Sequence, residues 1–267
     1  MERDTMKNYS ANWEKLISKF GYGYVNELEQ YQFIVKVRAY TDMQPRTIHG
    51  LKEFHEDTDS KKALDKLFDD VADKLYLFVV KDPARDKDGF NEWHTGICKG
   101  FVKKFNEILG EYNKKAEGSP VGEIKDIKFG KGQKLINCSL KYIYCLKGAD
   151  KYEEKFKHCH MILDRYTYSE GFYKKNIIEW YNKKNNLNKK DGLRKTLTSW
   201  SNLDETKYKE IQENIRNYLN DGQNIRKYVK DATVYVDSDN NPLTPFQAEF
   251  YVFDEYNDLL NNGKAVE

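Results

Sequence analysis

Long apolar runs are missing from this 267-residue chain. Nothing in it approaches the eighteen or so consecutive apolar residues that a membrane-crossing helix needs, and the opening Met1-Glu2-Arg3-Asp4 is not a secretory signal. These absences predict a soluble, intracellular, cytoplasmic protein with no membrane partner. Cysteine is scarce: Cys98, Cys138, Cys145 and Cys159 form no Cys-x-x-Cys pair, and three of them sit in apolar surroundings. Reduced, buried thiols are expected rather than a disulfide framework. A large excess of one charge sign is lacking too, with 45 Lys and Arg against 43 Asp and Glu and a formal net charge of +2. That balance alone does not mark a nucleic-acid binder. There is no Walker-type phosphate loop, no nucleophile elbow and no internal repeat. His158-Cys159-His160 offers at most two metal ligands on one face of an extended segment, and no second Cys/His cluster accompanies it. Packing, or contact with DNA, is the expected role of these three.

What is present is helical. The hydrophobic fraction of 39%, with 14% aromatic and 20 tyrosines, is that of a folded chain long enough for one large domain or two small ones. Apolar residues recur at three- and four-residue spacing over 13–20, 25–40, 61–80, 91–112, 132–146, 169–182, 204–220 and 245–260, each of which is predicted as a helix. The last has an explicit start: Thr244 as N-cap, Pro245 at the first helical position and Gln247 completing a capping box. The only β-like run is 233–236, so the fold class is mostly α. Three segments look like linkers: 82–89, 114–122 with its Gly-Ser-Pro, and the Asn/Lys-rich 183–195, which reads as a basic surface insertion or an arm for nucleic acid.

Charge is concentrated locally. Between Lys125 and Lys147 stand six lysines against one acid, Asp126, the kind of patch a phosphate backbone attracts. Inside it lies Phe129-Gly130-Lys131-Gly132-Gln133-Lys134, followed thirty residues later by Leu163-Asp164-Arg165. A Gly-x-Gly turn opening a helix would present backbone N–H groups to a phosphate, with a lysine and a distant aspartate available beside it.

These residues resemble the helix-hairpin-helix DNA glycosylases, and among them most closely the archaeal 8-oxoguanine DNA glycosylase group. Lys134 and Lys141 match that group's Lys-x-x-x-x-x-x-Lys helix, whose first lysine is catalytic. Ile162-Leu163-Asp164-Arg165 matches the setting of its catalytic aspartate, and the run from Pro245 through Glu249 to Phe253 keeps the spacing of its C-terminal base-reading motif with Glu for Asp and Phe for Trp. Phe129 replaces the hairpin's proline, and Cys138 stands where the group has an aromatic pocket wall. Fainter likenesses around Glu29-Gln30-Tyr31-Gln32-Phe33 and Glu92-Trp93-His94 imply Gln32 as a base reader and Trp93 as a stacking residue.

The resemblance implies one catalytic unit over 1–267 made of two helical lobes, with their boundary near 114–122 and the active site in the cleft between them. It also implies a DNA glycosylase with abasic-site lyase activity, for base excision in DNA repair, that needs neither metal nor organic cofactor and no obligate protein partner. Lys134 and Asp164 would be catalytic. Gln32, Trp93, Cys138, Glu249 and Phe253 would form the base pocket, and Lys128, Gly130, Lys131, Gly132 and Gln133 would hold the DNA backbone. Cleaving an N-glycosidic bond places positive charge on the sugar, which a carboxylate stabilises. A neutral amine then attacks the anomeric carbon, and the base must first be flipped out of the duplex. The departures at Cys138, Glu249 and Phe253 leave open a different modified base, including one on phage DNA in an antiviral defence role. A non-catalytic helix-hairpin-helix DNA-binding protein is the competitor from another class, and an α-helical interaction protein with no nucleic-acid role is a third.

Overall fold

The computed structural model describes residues 28–118, 122–146, 148–187, 197–221, 242–250 and 252–253. Helices make up the ordered elements, and no strand occurs among the described residues. The segments 13–20 and 233–236, and all but the first five residues of 183–195, lie outside them. Two compact units divide the chain between Phe156 and Lys157, the first beginning at Glu27. The expected boundary at 114–122 therefore falls inside the first unit. No helix among the described residues is long and apolar enough to cross a membrane.

The first unit opens with α1, a continuous helical stretch built from Leu28–Gln30, Tyr31–Phe33, a π segment Ile34–Ala39 and Tyr40–Asp42. Its buried face carries Ile34, Val35 and Ala39. Two left-handed residues, Gln44 (φ 57°) and Gly50 (φ 78°), bracket the turn into the short α2, Leu51–Glu56. Asp57 then caps α3, Thr58–Val80, by accepting from Ser60 N at 2.8 Å. Asp86 does the same for α4, Lys87–Lys115, through Gly89 N at 2.8 Å. The buried positions of α4 (Phe90, His94, Cys98, Phe101, Phe105, Leu109) follow the helical period and face an aromatic seam. In that seam Phe68 stacks on Phe101, and Phe78 contacts Phe90 and Trp93.

The chain after α4 is laid back along it by two asparagines. Asn113 exchanges hydrogen bonds with both backbone groups of Ile124 (2.8 and 3.0 Å), and Asn106 does so with Ile127 (3.0 and 2.9 Å). These amides stand in for strand partners and satisfy backbone groups that would otherwise be stranded. They hold the chain just after 114–122 within the first unit.

Helix α5, Phe129–Tyr144, follows and packs against α1 and α4. Fifteen of its sixteen residues are buried, so it is the unit's central rod despite three lysines. Gly132 marks its closest approach to α4: an added Cβ would lie 2.7 Å from Val102 Cγ2 and 3.2 Å from the Cys98 carbonyl oxygen. Gly132→Ala should therefore destabilise the protein. The overpacking of about 1–3 kcal/mol outweighs the roughly 1 kcal/mol that alanine returns in helix propensity, and a rise in urea midpoint would contradict this. A turn at Ala149–Tyr152 and α6, Glu153–Phe156, complete the unit.

In the second unit, a turn at Arg165–Ser169 leads to the π segment Tyr173–Ile177, which runs directly into α7, Ile178–Lys184. After the short turn Trp200–Asn202 comes α8, Glu205–Asn220, capped by Asp204. Helix α8 fastens the extended chain ahead of Asp164. Gln212 pairs with both backbone groups of Met161 (3.2 and 2.7 Å), and Tyr208 Oη meets His160 Nδ1 at 2.8 Å. Residues 245–250 and 252–253 are helical. Their predicted capping box is present: Gln247 N donates to Thr244 Oγ1 (3.2 Å), and Thr244 N donates to Gln247 Oε1 (3.0 Å).

Candidate active site

Helix α5 turns about 100° per residue, so Lys134 and Lys141, two turns apart, share a face and Cys138 lies between them. Gly132, pressed on α4, is on roughly the opposite side. Lys134 is only 5% exposed and Lys141 3%. A lysine amine at that depth is costly unless the surroundings use it.

What sets the rotation of α5 is a chain of buried polar groups that sequence reasoning missed. Gln133 Nε2 donates to the Gly130 carbonyl (3.0 Å), Asn137 Nδ2 donates to Gln133 Oε1 (3.0 Å), and Asn137 Oδ1 faces His94 Nε2 at 2.7 Å. With the asparagine amide so oriented, its oxygen accepts and His94 carries its proton on Nε2. Cys98 lies one turn along α4 from His94, with Sγ 3.7–3.8 Å from the ring nitrogens, and burial pushes its thiol pKa up. The signal was present in the sequence: Gln133 and Asn137, and His94 and Cys98, are polar or thiol pairs four apart on otherwise apolar faces.

Lys131, expected at the DNA backbone, is held inside the first unit. Its ammonium donates to Met43 O (2.9 Å), Gln44 O (2.9 Å) and Thr47 Oγ1 (2.7 Å). Burial, with the Lys134 and Arg46 cations nearby, pulls its pKa down to about 8. Gly132 and Gln133 also face inward, and Gly130 is buried. Of the five residues expected to grip the backbone, only Lys128 is exposed. The reason is where the helix begins. Phe129 is already helical, so the glycines lie within its first turns, and the N–H groups of Lys131 and Gly132 are directed at the Lys128 carbonyl (3.0 and 3.5 Å).

In the second unit Asp164 caps the Arg165–Ser169 turn. Its Oδ1 accepts from Tyr166 N (2.8 Å) and Thr167 N (3.1 Å), while its own N–H donates to Thr167 Oγ1 (3.1 Å) in a reciprocal box. Two residues on, the Tyr166 ring meets Phe253 edge-on, 5.2 Å between centroids. The C-terminal helix is thereby joined to the aspartate's turn. Glu249, one turn before Phe253, is buried.

The remaining pocket candidates have other surroundings. Gln32 is exposed on α1, its amide 3.5 Å from Asp73 of α3. Trp93 stacks on Phe78 at 4.0 Å, with the Arg85 guanidinium 5.9 Å from its ring. Within the first unit, the partners of these two are not on the α5 face that carries Lys134 and Cys138. Cys159 and His160 are buried, and among the described residues no group of three or more His, Cys, Asp or Glu is placed to hold a metal ion.

No family model, curated protein or solved structure matches the chain. The functional reading therefore rests on the motifs and on the geometry around them.

Proposed function

We propose that the protein is a DNA glycosylase with abasic-site lyase activity, Lys134 being its nucleophile and Asp164 its electrostatic partner. The Lys134 amine forms a bond to the sugar's anomeric carbon as the base departs with the electrons of the N-glycosidic bond and takes up a proton. The sugar ring then opens as the C1′–O4′ bond breaks and O4′ takes a proton from the attached amine, leaving a Schiff base; this makes the adjacent C2′ proton acidic, and its removal expels the 3′ phosphate by β-elimination. Asp164 opposes the positive charge that builds on the sugar.

The observation that carries this reading is a lysine buried to 5% exposure on a helix whose rotation is fixed on other sides by Gly132, Asn137 and Lys131. The motif order, Lys134 to Asp164 to Glu249 and Phe253, supports it. The resemblance gives 8-oxoguanine as the first substrate to test. Cys138, Glu249 and Phe253 change the pocket chemistry enough that another modified base, on cellular or phage DNA, belongs in the same test.

The inward-facing Lys131, Gly132 and Gln133 favour one competitor, an α-helical protein with no part in nucleic-acid chemistry. Borohydride reduction in the presence of duplex oligonucleotides, each with a different modified base or an abasic site, separates the two. A covalent adduct with at least one duplex is expected. Complete absence of adducts, together with DNA affinity that does not fall with salt, would overturn the proposal.

A further inference from the structure

A groove of about 500 Å³ runs between α3 and α4 on the first unit, and Trp93, the stacking residue that the resemblance implies, is part of its wall. That volume lies in the range of small-molecule sites. Its walls are mainly apolar: Leu67, Val71 and Leu77 from α3, and Trp93, Ile97 and Phe101 from α4. The α3 positions span ten residues, so the groove is about 15 Å long. Leu77 is 47% exposed in it.

Two glycines of α4, Gly96 and Gly100, also line the groove, one turn apart. Both are exposed, and among the described residues a Cβ built on either meets nothing within 4 Å. Glycine weakens a helix interior, and here, unlike at Gly132, no neighbouring element among the described residues uses the space. They leave a bare strip of backbone on which a flat body can lie.

The charges along the groove are unequal. Arg85 pairs with Asp82 at 3.0 Å, and Lys104 lies 3.7 Å from Asp70. These pairs neutralise both acids. Lys74, midway along the α3 wall, makes no ion pair among the described residues and supplies the excess positive charge.

We propose that this groove is a binding site for a flat aromatic molecule bearing one acidic group, its rings against the Gly96–Gly100 backbone and its acid toward Lys74. The site uses neither Lys134 nor Asp164, and its test uses no DNA. The full-length protein is titrated with 8-anilinonaphthalene-1-sulfonate, and in parallel with N-phenyl-1-naphthylamine, which has the same rings without the acid. One saturable site for the sulfonate is expected.

Gly96→Leu combined with Gly100→Leu fills the groove at positions where a side chain meets no neighbour. It should remove binding of both probes while the helical circular dichroism is kept. Lys74→Gln should weaken the sulfonate by about two- to fivefold, the range of an exposed charge pair, and leave the neutral probe unchanged. Non-saturable binding, or sulfonate binding that survives the double leucine variant, overturns the proposal. Equal effects of Lys74→Gln on both probes overturn it too, because the acid would then have no part in recognition.

Discussion

Lys134→Gln is expected to abolish the borohydride-trapped adduct, a loss on the order of 10³-fold or more in trapping rate, because no other group in the proposed mechanism supplies the Schiff-base nitrogen. Lys141→Gln is the matched control. Lys141 lies on the same face of α5 at equal depth, so a loss caused merely by removing a buried lysine would appear in both variants. Only Lys134→Gln should lose the adduct. Asp164 can be examined without undoing its turn, since asparagine caps as well as aspartate does and keeps an oxygen for Tyr166 N and Thr167 N. Asp164→Asn should fold normally and lose cleavage on the order of 10²-fold, as expected for removing one electrostatic stabiliser. Equal trapping by Lys134→Gln and the parent would end the assignment of the nucleophile.

The parts of this molecule that could be read in advance are those determined locally. Helices α3, α4 and α8 show in the apolar spacing of 61–80, 91–112 and 204–220; Asp57 and Asp86 start the first two several residues earlier, Asp86 inside the segment 82–89 that reads as a linker. The Thr244–Gln247 box is equally plain. What stayed hidden depends on distant residues. Gly130 and Gly132 look like turn formers, yet Gly132 serves a close approach to Cys98 and Val102, which no local pattern encodes. Lys131 looks solvated because its acceptors lie more than eighty positions earlier. Helices α2 and α6, six and four residues long, are too short for a period to show. The two compact units meet between Phe156 and Lys157 rather than near 114–122, and Asn106 and Asn113 tie the chain just after that segment, at Ile127 and Ile124, to α4.

Lys131 provides the sharpest distinction between an internal strut and a DNA contact, because the two differ in how stability responds to pH. Its pKa falls from 10.5 to about 8 in the folded protein. Below pH 8 the group is protonated in both states and contributes no slope. Between pH 8 and 10.5 the unfolded chain keeps the proton that the native state has released, so stability rises with pH, and above 10.5 the slope vanishes again. At about 1.4 kcal/mol per pH unit the full rise is roughly 3 kcal/mol. Other lysines and tyrosines titrate in the same window, so the measurement is the difference between the parent and Lys131→Met in urea unfolding at pH 7.5 and near pH 10. At pH 7.5 two opposing effects largely offset each other: the variant strands the acceptors at Met43, Gln44 and Thr47 but no longer buries a charge. Near pH 10 the parent's neutral amine still donates to two of these three acceptors without a buried charge. The gap should then widen in its favour by roughly 2–3 kcal/mol. A gap that stays constant between the two pH values would mean a solvated amine with an ordinary affinity for protons, and Lys131 would return to the surface role that its sequence first implied.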